Sequence, residues 1–310
     1  MKNILIVIGL FFCMGVSAQD MSIEKISLVL RDSERHNRKV PVDVFFPSDA
    51  GDIESTLTRK KLPVICFGHG YLISGKWYSH IYELLVPEGY IVIFPASEDG
   101  MFPSHKKLAE DMVFAVNAVE KLGLDRSSPL YGRVDTIRCL MGHSMGGGSM
   151  ILAASKFPDI DAIIALSPFD TRPSAIKAAS LVRVPALIFS GSNDCITPSF
   201  KHHLPIYNSL SGSDKTYILI KGGTHCQMGV SHPKCNTGEK IAGCRDGITL
   251  DEQLRILSRY IIPWLRFFLH GDECSGEDFD SGIGKDNAVE YLRSRPLKRS
   301  DRQDKSTASK

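Results

Sequence analysis

At 310 residues, 43% of them hydrophobic and 23% charged, the chain has the balance of a globular protein with a sizeable buried core. Lys plus Arg number 37 against 35 for Asp plus Glu, a formal net charge of +2. So small an excess gives no electrostatic basis for binding nucleic acid or an anionic membrane surface, which excludes polyanion binding as the organising function.

The chain opens as an export signal. Lys2 precedes an apolar run from Ile4 to Phe12, and Val16-Ser17-Ala18 supplies the small residues a signal peptidase requires before Gln19. Residues 1–18 therefore read as a signal peptide, with cleavage near Ala18 and a secreted product, periplasmic or extracellular. The run is shorter than the ~20 apolar residues that cross a bilayer, and no other stretch is long enough, so no membrane span is expected. Removal of Cys13 leaves seven cysteines in a compartment where disulfides persist, and an odd number leaves at least one thiol free or paired with another chain.

Two β-rich runs, Ile23–Leu30 and Val40–Phe46, flank a polar stretch and predict an antiparallel hairpin. The rhythm then changes to strand-like apolar segments alternating with helix-length ones: Pro63–Phe67 then Ser79–Pro87, Ile91–Phe94 then His105–Leu122, Thr136–Met141 then Met145–Phe157. Ala162–Leu166 follows, then Ala186–Ser190 with Ser199–Leu210 and Thr216–Ile220 with Leu250–Leu269. Such alternation predicts an α/β domain over residues 19–292, with a mostly parallel central sheet and helices on both faces. In the segment from His105, Leu108, Met112, Ala115, Val119 and Leu122 recur at three- and four-residue intervals, the apolar stripe of an amphipathic helix. Two segments break the rhythm. Residues 226–249 form a Gly-, Cys- and polar-rich insertion, too long for an ordinary connection and expected at a functional rim. Residues 293–310 carry seven Lys and Arg against two Asp and read as a basic disordered tail.

The strongest chemical signal is Gly142-His143-Ser144-Met145-Gly146-Gly147, directly after a strand-like segment and opening a helix. In that context Gly-x-Ser-x-Gly marks a nucleophile elbow, a strained turn whose neighbours must lack side chains where backbones pack. A serine hydroxyl needs a base to take its proton, and the base needs an orienting carboxylate. Asp194 and His225 each lie just past the C-terminal end of a predicted strand, the edge where open parallel sheets place their sites, and follow Ser144 in the order Ser, Asp, His. Asp170 is the rival acid. His143 lies inside the elbow and His69 precedes the serine, while His202, His203 and His232 read as surface histidines. Two backbone amides are needed for the oxyanion. Met145, after the nucleophile, supplies one, and Tyr71, in the loop Gly68-His69-Gly70-Tyr71, supplies the other while its ring offers a wall for the acyl group.

On these residues, with Ser167-Pro168-Phe169 and the stretch from Pro185 to Thr197-Pro198, the chain resembles the α/β-hydrolases of the dienelactone-hydrolase, cutinase and polyester-hydrolase group. The likeness runs from about Val40 to His225 and resumes over the last long helix. It implies an α/β-hydrolase fold and a carboxylic-ester hydrolase using Ser144, Asp194 and His225, with Tyr71 and Met145 as oxyanion donors and no cofactor. Such an enzyme acts as a monomer on a small-molecule or polymeric ester. Cutinase-like polyester hydrolases usually carry tryptophan where this chain has Phe169, a smaller substrate-binding ring that weakens the expectation of a polymer substrate but not of an ester. The long insertion would narrow the cleft in favour of small soluble esters.

Cys195 follows the expected acid and Cys226 the expected base, so contact between Asp194 and His225 would bring the two cysteines toward disulfide range, and Cys235 and Cys244 bracket a loop that a second bridge would close. Sequence leaves the connectivity open. Cys66 and Cys139 lie within apolar strands as buried thiols, and Cys274 has no assignment. The competing zinc set of Cys226, His232, Cys235 and Cys244 lacks a close Cys pair, so no metal is expected. The acidic residues from Asp272 to Asp280 match no calcium loop and read as solvated surface.

Overall fold

The computed structural model describes residues 22–48, 61–230 and 232–297. The expected signal peptide lies outside them. Strands β1 (Ile23–Asp32) and β2 (Arg38–Pro47) pair antiparallel from Ile23↔Pro47 to Asp32↔Arg38, the hairpin anticipated from their alternation. Its turn is pinned to the body by charge. Arg38 reaches Asp111 with Nη2 at 2.6 Å, and Arg35 reaches the same buried carboxylate at 2.7 Å.

The body consists of parallel strands β3 (Leu62–Gly68), β4 (Ile91–Pro95), β5 (Val134–His143), β6 (Ala162–Leu166), β7 (Ala186–Gly191) and β8 (Lys215–Ile220). With β9 (Val289–Arg293), antiparallel to β8, they form one nine-stranded sheet in the order β1-β2-β4-β3-β5-β6-β7-β8-β9. The central strands are apolar on both faces because both are covered. Helices α2 (His105–Leu122), α3 (Met145–Ala154), α4 (Ala175–Ala179) and α5 (His203–Ser209) contribute to one core, with Met112, Met150 and Ile188 buried in it. Helices α1 (Ser79–Leu85), α7 (Leu250–His270) and α8 (Glu273–Ile283) contribute to the other, with Ile164, Trp264 and Phe279. Side chains cap the long helices as their sequences suggest: Ser104 accepts from Lys107 N at 3.3 Å and Thr249 from Glu252 N at 3.2 Å. The sheet, its order and the two helical layers are those of an α/β-hydrolase. No helix among the described residues is long and apolar enough to cross a membrane.

Three expectations are corrected. The tail does not begin at residue 293: Arg293 lies in β9 and pairs with Asp280, Arg295 pairs with Asp214 at 2.7 Å, and Leu297 is buried. Charge count hid this order because the guanidinium groups have acidic partners far away in the chain. The acidic stretch after Asp272 is not simply solvated surface. It is α8, capped by Asp272 on Ser275 N at 3.3 Å and anchored by buried Phe279 and Ile283. Residues 226–249 are not all loop, since α6 (Pro233–Ile241) occupies their middle.

A chain ending at Ala288 exposes the edge of β8 and the pocket of Leu297, so its melting temperature falls by about 5–10 °C relative to the full chain in a calorimetric scan.

Candidate active site

The site is built at the C-terminal edge of the parallel strands. Strand β5 runs into Ser144, whose φ of 53° and ψ of −119° is a conformation non-glycine residues rarely adopt. This strain costs on the order of 1–3 kcal/mol and is held by the packing around the turn. Ser144 N donates to Leu166 O at 3.0 Å, and Ser144 O accepts from Gly148 N at 3.1 Å and Phe169 N at 2.9 Å. A Cβ at Gly146 would lie 2.1 Å from Gly68 O, and one at Gly142 would lie 2.6 Å from Gly146 C. The elbow therefore packs backbone to backbone against the end of β3, which is why its glycines cannot carry side chains.

Ser144, His225 and Asp194 meet in one hydrogen-bonded chain. His225 Nε2 lies 3.0 Å from Ser144 Oγ, and His225 Nδ1 lies 2.8 Å from Asp194 Oδ2. A carboxylate can only accept, so Nδ1 carries the proton and Nε2 is left to accept from the serine hydroxyl. Burial by itself would raise Asp194, but the imidazole of His225 and the Thr197 amide hold it well below the usual carboxylate range. Thr197 N donates to Asp194 Oδ1 at 2.8 Å, and Thr197 Oγ1 stands 2.9 Å from Asp194 Oδ2. The rival acid is occupied elsewhere: Asp170 Oδ1 accepts from Ser174 Oγ at 2.8 Å and from Ile176 N at 3.1 Å at the start of α4.

The two expected amide donors lie at the start of α3 and in the loop after β3. Met145 is the first residue of α3, where N–H groups have no intrahelical acceptor. Tyr71 follows Gly70, whose N–H is fixed by the buried Tyr78 hydroxyl at 3.0 Å. The Tyr71 ring is half-exposed and its hydroxyl donates to Met101 O at 2.9 Å, next to the exposed Phe102. Phe169 packs its ring 5.1 Å from that of His202.

The surface reading of three histidines is overturned. His202, His203 and His232 are all buried. His203 Nδ1 lies 2.7 Å from Ser190 Oγ and its Nε2 3.0 Å from Thr197 Oγ1, while His232 accepts from Cys235 N and meets the Trp77 ring at 4.3 Å. His143 is buried behind the site with Nδ1 2.8 Å from Tyr78 Oη, and His69 bridges Gly70 O and Ser97 O. The contribution of Thr197 and His203 was missed. The available signal was Ser190, a polar residue closing an otherwise apolar strand and therefore in need of a buried partner.

The four expected cysteines are bridged, but in a different pairing: Cys195 to Cys244, Cα atoms 5.4 Å apart, and Cys226 to Cys235, 5.7 Å apart. Helix α6 explains the correction. Cys235 lies in its first turn and Cys244 beyond its end, and at ~1.5 Å per residue the helix carries them farther apart than the ~7 Å a disulfide can span. Both bridges consume the thiols of the competing zinc set. Each starts next to Asp194 or His225 and ties that loop to the insertion. Cys66 and Cys139 are free, and burial pushes both thiols above their ordinary range.

The Cys195–Cys244 bridge closes the longer loop, with a sequence separation of 49 against 9. Paired Cys→Ser replacement there lowers unfolding free energy by about 4 kcal/mol, against about 2.5 kcal/mol for Cys226 with Cys235 in the chain-entropy picture, an order that denaturant titration checks. Burial also holds His203 down at about 3 and His80 at about 4, with His143, His202 and His232 lowered as well. The unfolded chain binds protons at these groups near pH 6.5 while the folded chain does not, so stability is lost as pH falls from about 6.5 to 4. Melting curves across that window show the decline, and His203→Gln makes it shallower.

The model of the PETase family, described as PET hydrolase-like, matches residues 44–282. Among curated proteins, Cutinase est1 of Thermobifida alba is 38% identical over 157 residues, which are 50% of this chain and 44% of that protein. Cutinase 2 of Thermobifida cellulosilytica is 34% identical over 150 residues, 48% of this chain and 47% of the relative. The bis(hydroxyethyl) terephthalate hydrolase of Streptomyces coelicolor is 29% identical over 147 residues, 47% of this chain and 39% of the relative. The chain thus spans somewhat under half the length of the curated relatives it matches. Because the family match extends from β2 through α8 and contains the elbow, the acid loop and the base loop, the chain belongs to the PET hydrolase-like family of α/β-hydrolases.

Proposed function

We propose that the protein is an exported serine hydrolase that cleaves carboxylic esters through an acyl-enzyme, in the manner of a cutinase. The observation that carries this reading is the continuous contact from Ser144 Oγ through His225 to Asp194, mounted on a strained elbow at the sheet edge. His225 takes the Ser144 proton as Oγ attacks the ester carbonyl. The developing oxyanion is held by the N–H groups of Met145 and Tyr71, donors aimed at charge that appears only in the transition state. Collapse of the tetrahedral intermediate breaks the carbon–oxygen bond, and His225 returns its proton to the departing alcohol. Water, deprotonated by the same imidazole, then attacks the acyl-serine, and the acid leaves with Ser144 restored. Asp194 stays ionised throughout and stabilises the imidazolium.

All three side chains come from one chain, so a single copy holds the whole triad, as a monomeric enzyme requires, in one catalytic domain that continues through the buried Leu297. The two disulfides among the described residues support an oxidising compartment and hence export after cleavage near Ala18. Similarity to cutinases and to a bis(hydroxyethyl) terephthalate hydrolase supports an ester as the substrate class. Small soluble esters are the favoured substrates, because the insertion, fastened by two bridges, stands against the oxyanion-side loop where Val230 N donates to Trp77 O at 3.0 Å. A second reading, aromatic polyesters, rests on the PET hydrolase-like match and on the half-exposed Tyr71 beside exposed Met101 and Phe102, an apolar rim suited to a polymer surface.

Ser144→Ala lowers kcat on p-nitrophenyl butyrate at least about a thousandfold while leaving the melting curve unchanged, and it abolishes covalent labelling by a fluorophosphonate. Retention of the hydrolysis by that variant overturns the proposal. Comparing product release from an amorphous polyester film with turnover of p-nitrophenyl butyrate decides the substrate: a rate confined to the soluble ester supports the first reading, and sustained film hydrolysis the second.

A further inference from the structure

We propose that His203 is a positioning residue of the triad: by donating its Nε2–H to the Thr197 hydroxyl, it satisfies that oxygen without taking its proton, which leaves the proton for Asp194 and the His225 Nδ1–H on the carboxylate. The inference rests on the triad reading above and concerns what keeps that triad in one proton arrangement.

The Thr197 hydroxyl is crowded. Its oxygen lies 2.9 Å from Asp194 Oδ2, 2.9 Å from His225 Nδ1, 3.0 Å from His203 Nε2 and 3.3 Å from Ser167 O. A hydroxyl has one proton to give and two lone pairs with which to accept. Two arrangements fit those distances. In the first, Thr197 donates to Asp194, and both acceptors of the acid's inner face, Oδ1 and Oδ2, are filled by Thr197 N–H, Thr197 O–H and His225 Nδ1–H. In the second, Thr197 donates to the Ser167 carbonyl and presents a lone pair to His225 Nδ1, which draws the imidazole proton off the carboxylate and onto a neutral oxygen. A hydrogen bond to a neutral hydroxyl stabilises an imidazolium far less than one to a carboxylate, so the second arrangement makes His225 a poorer base.

His203 favours the first. Its Nδ1 faces the Ser190 hydroxyl at 2.7 Å, at the end of β7 where the serine is fully buried. With Ser190 donating, Nδ1 is the acceptor and the proton of the neutral ring sits on Nε2, pointed at Thr197. That N–H fills one Thr197 lone pair, which weakens the pull of the oxygen on the His225 Nδ1–H, and because a ring N–H cannot accept, the hydroxyl proton goes to the charged Asp194 Oδ2 at 2.9 Å over the neutral Ser167 carbonyl at 3.3 Å. The resulting chain runs Ser190 to His203 to Thr197 to Asp194, every donor facing an acceptor, and His225 adds its own bond to the same Oδ2. Burial keeps His203 neutral, which preserves this single tautomer rather than placing a second cation beside the triad.

The harm from losing His203 comes from Thr197, whose oxygen then competes for the His225 Nδ1–H. His203→Leu, which removes the donor at similar volume, lowers kcat on p-nitrophenyl butyrate about 10- to 100-fold, the worth of one oriented hydrogen bond to a charged group, with KM changed less than about twofold. His203→Asn, polar but too short to reach Thr197, shows the same loss, and His203→Gln, whose amide can still donate, keeps at least about a third of wild-type kcat. Adding Thr197→Ala to His203→Leu removes the competing oxygen and restores kcat at least about fivefold over His203→Leu alone. A merely structural histidine would give a double variant no better than the single one. The inference is overturned if folded His203→Leu and His203→Asn both turn over within twofold of wild type, or if the double variant stays as slow as His203→Leu. Ser144→Ala run alongside separates the two levels: an inactive Ser144→Ala with unaffected His203 variants sinks only this inference, whereas an active Ser144→Ala sinks the triad reading beneath it.

Discussion

The contact on which the rest of the site depends is the buried one between Asp194 and His225. A carboxylate with almost no solvent is expensive to keep ionised, and the protein meets that cost with three donors: the Thr197 amide, the Thr197 hydroxyl and the imidazole. Everything that touches these two loops can be understood as keeping that contact at 2.8 Å. The Cys195–Cys244 bridge starts one residue after the acid, and Cys226–Cys235 one residue after the histidine. Neither bridge joins the two loops directly. Each fastens its loop to the insertion, so α6 and the turn after it serve as a common brace.

The parallel sheet sets where this happens. Strands β5, β7 and β8 end side by side or one strand apart, and their C-terminal ends deliver serine, acid and histidine to one edge although the residues are 50 and 31 positions apart in sequence. Strands that apolar on both faces leave polar chemistry only at their ends. The strained Ser144 persists because the backbone around it has no room to relax: Gly146 lies against the Gly68 carbonyl, and Ser144 itself is bonded to Leu166, Gly148 and Phe169.

The parts of this arrangement visible in the sequence are those with a local signature. The elbow announces itself by glycines beside a serine between a strand and a helix, and Asp194 and His225 each by following an apolar run. The hairpin was visible through its alternation, and α2 through its stripe. What stayed hidden depends on partners distant in the chain. His202 and His203 stand in a polar stretch from Ser199 and read as exposed, yet Ser190 and Thr197 draw His203 inward, and Phe169 covers His202. Strand β9 and the ordered Arg293 and Arg295 escaped notice because composition counts charges without seeing Asp280 and Asp214 opposite them. The disulfide pairing turned on α6, a helix with a Gly at 238 and no buried side chain, whose apolar pattern is too weak to announce it.

The buried histidines show how the same feature serves stability and chemistry in opposite ways. Each neutral imidazole in the interior fixes a donor and an acceptor at known positions, which a serine or threonine alone cannot do because its hydroxyl rotates. The cost is a proton that the unfolded chain binds and the folded chain refuses below about pH 6.5, so orientation at the site is obtained at the expense of acid tolerance. An apolar residue at 203 would remove that cost and add core, so packing alone does not account for a histidine there. Its two ring nitrogens, one facing Ser190 and the other Thr197, make directional hydrogen bonds that no hydrocarbon replaces, and they end on the carboxylate that holds His225.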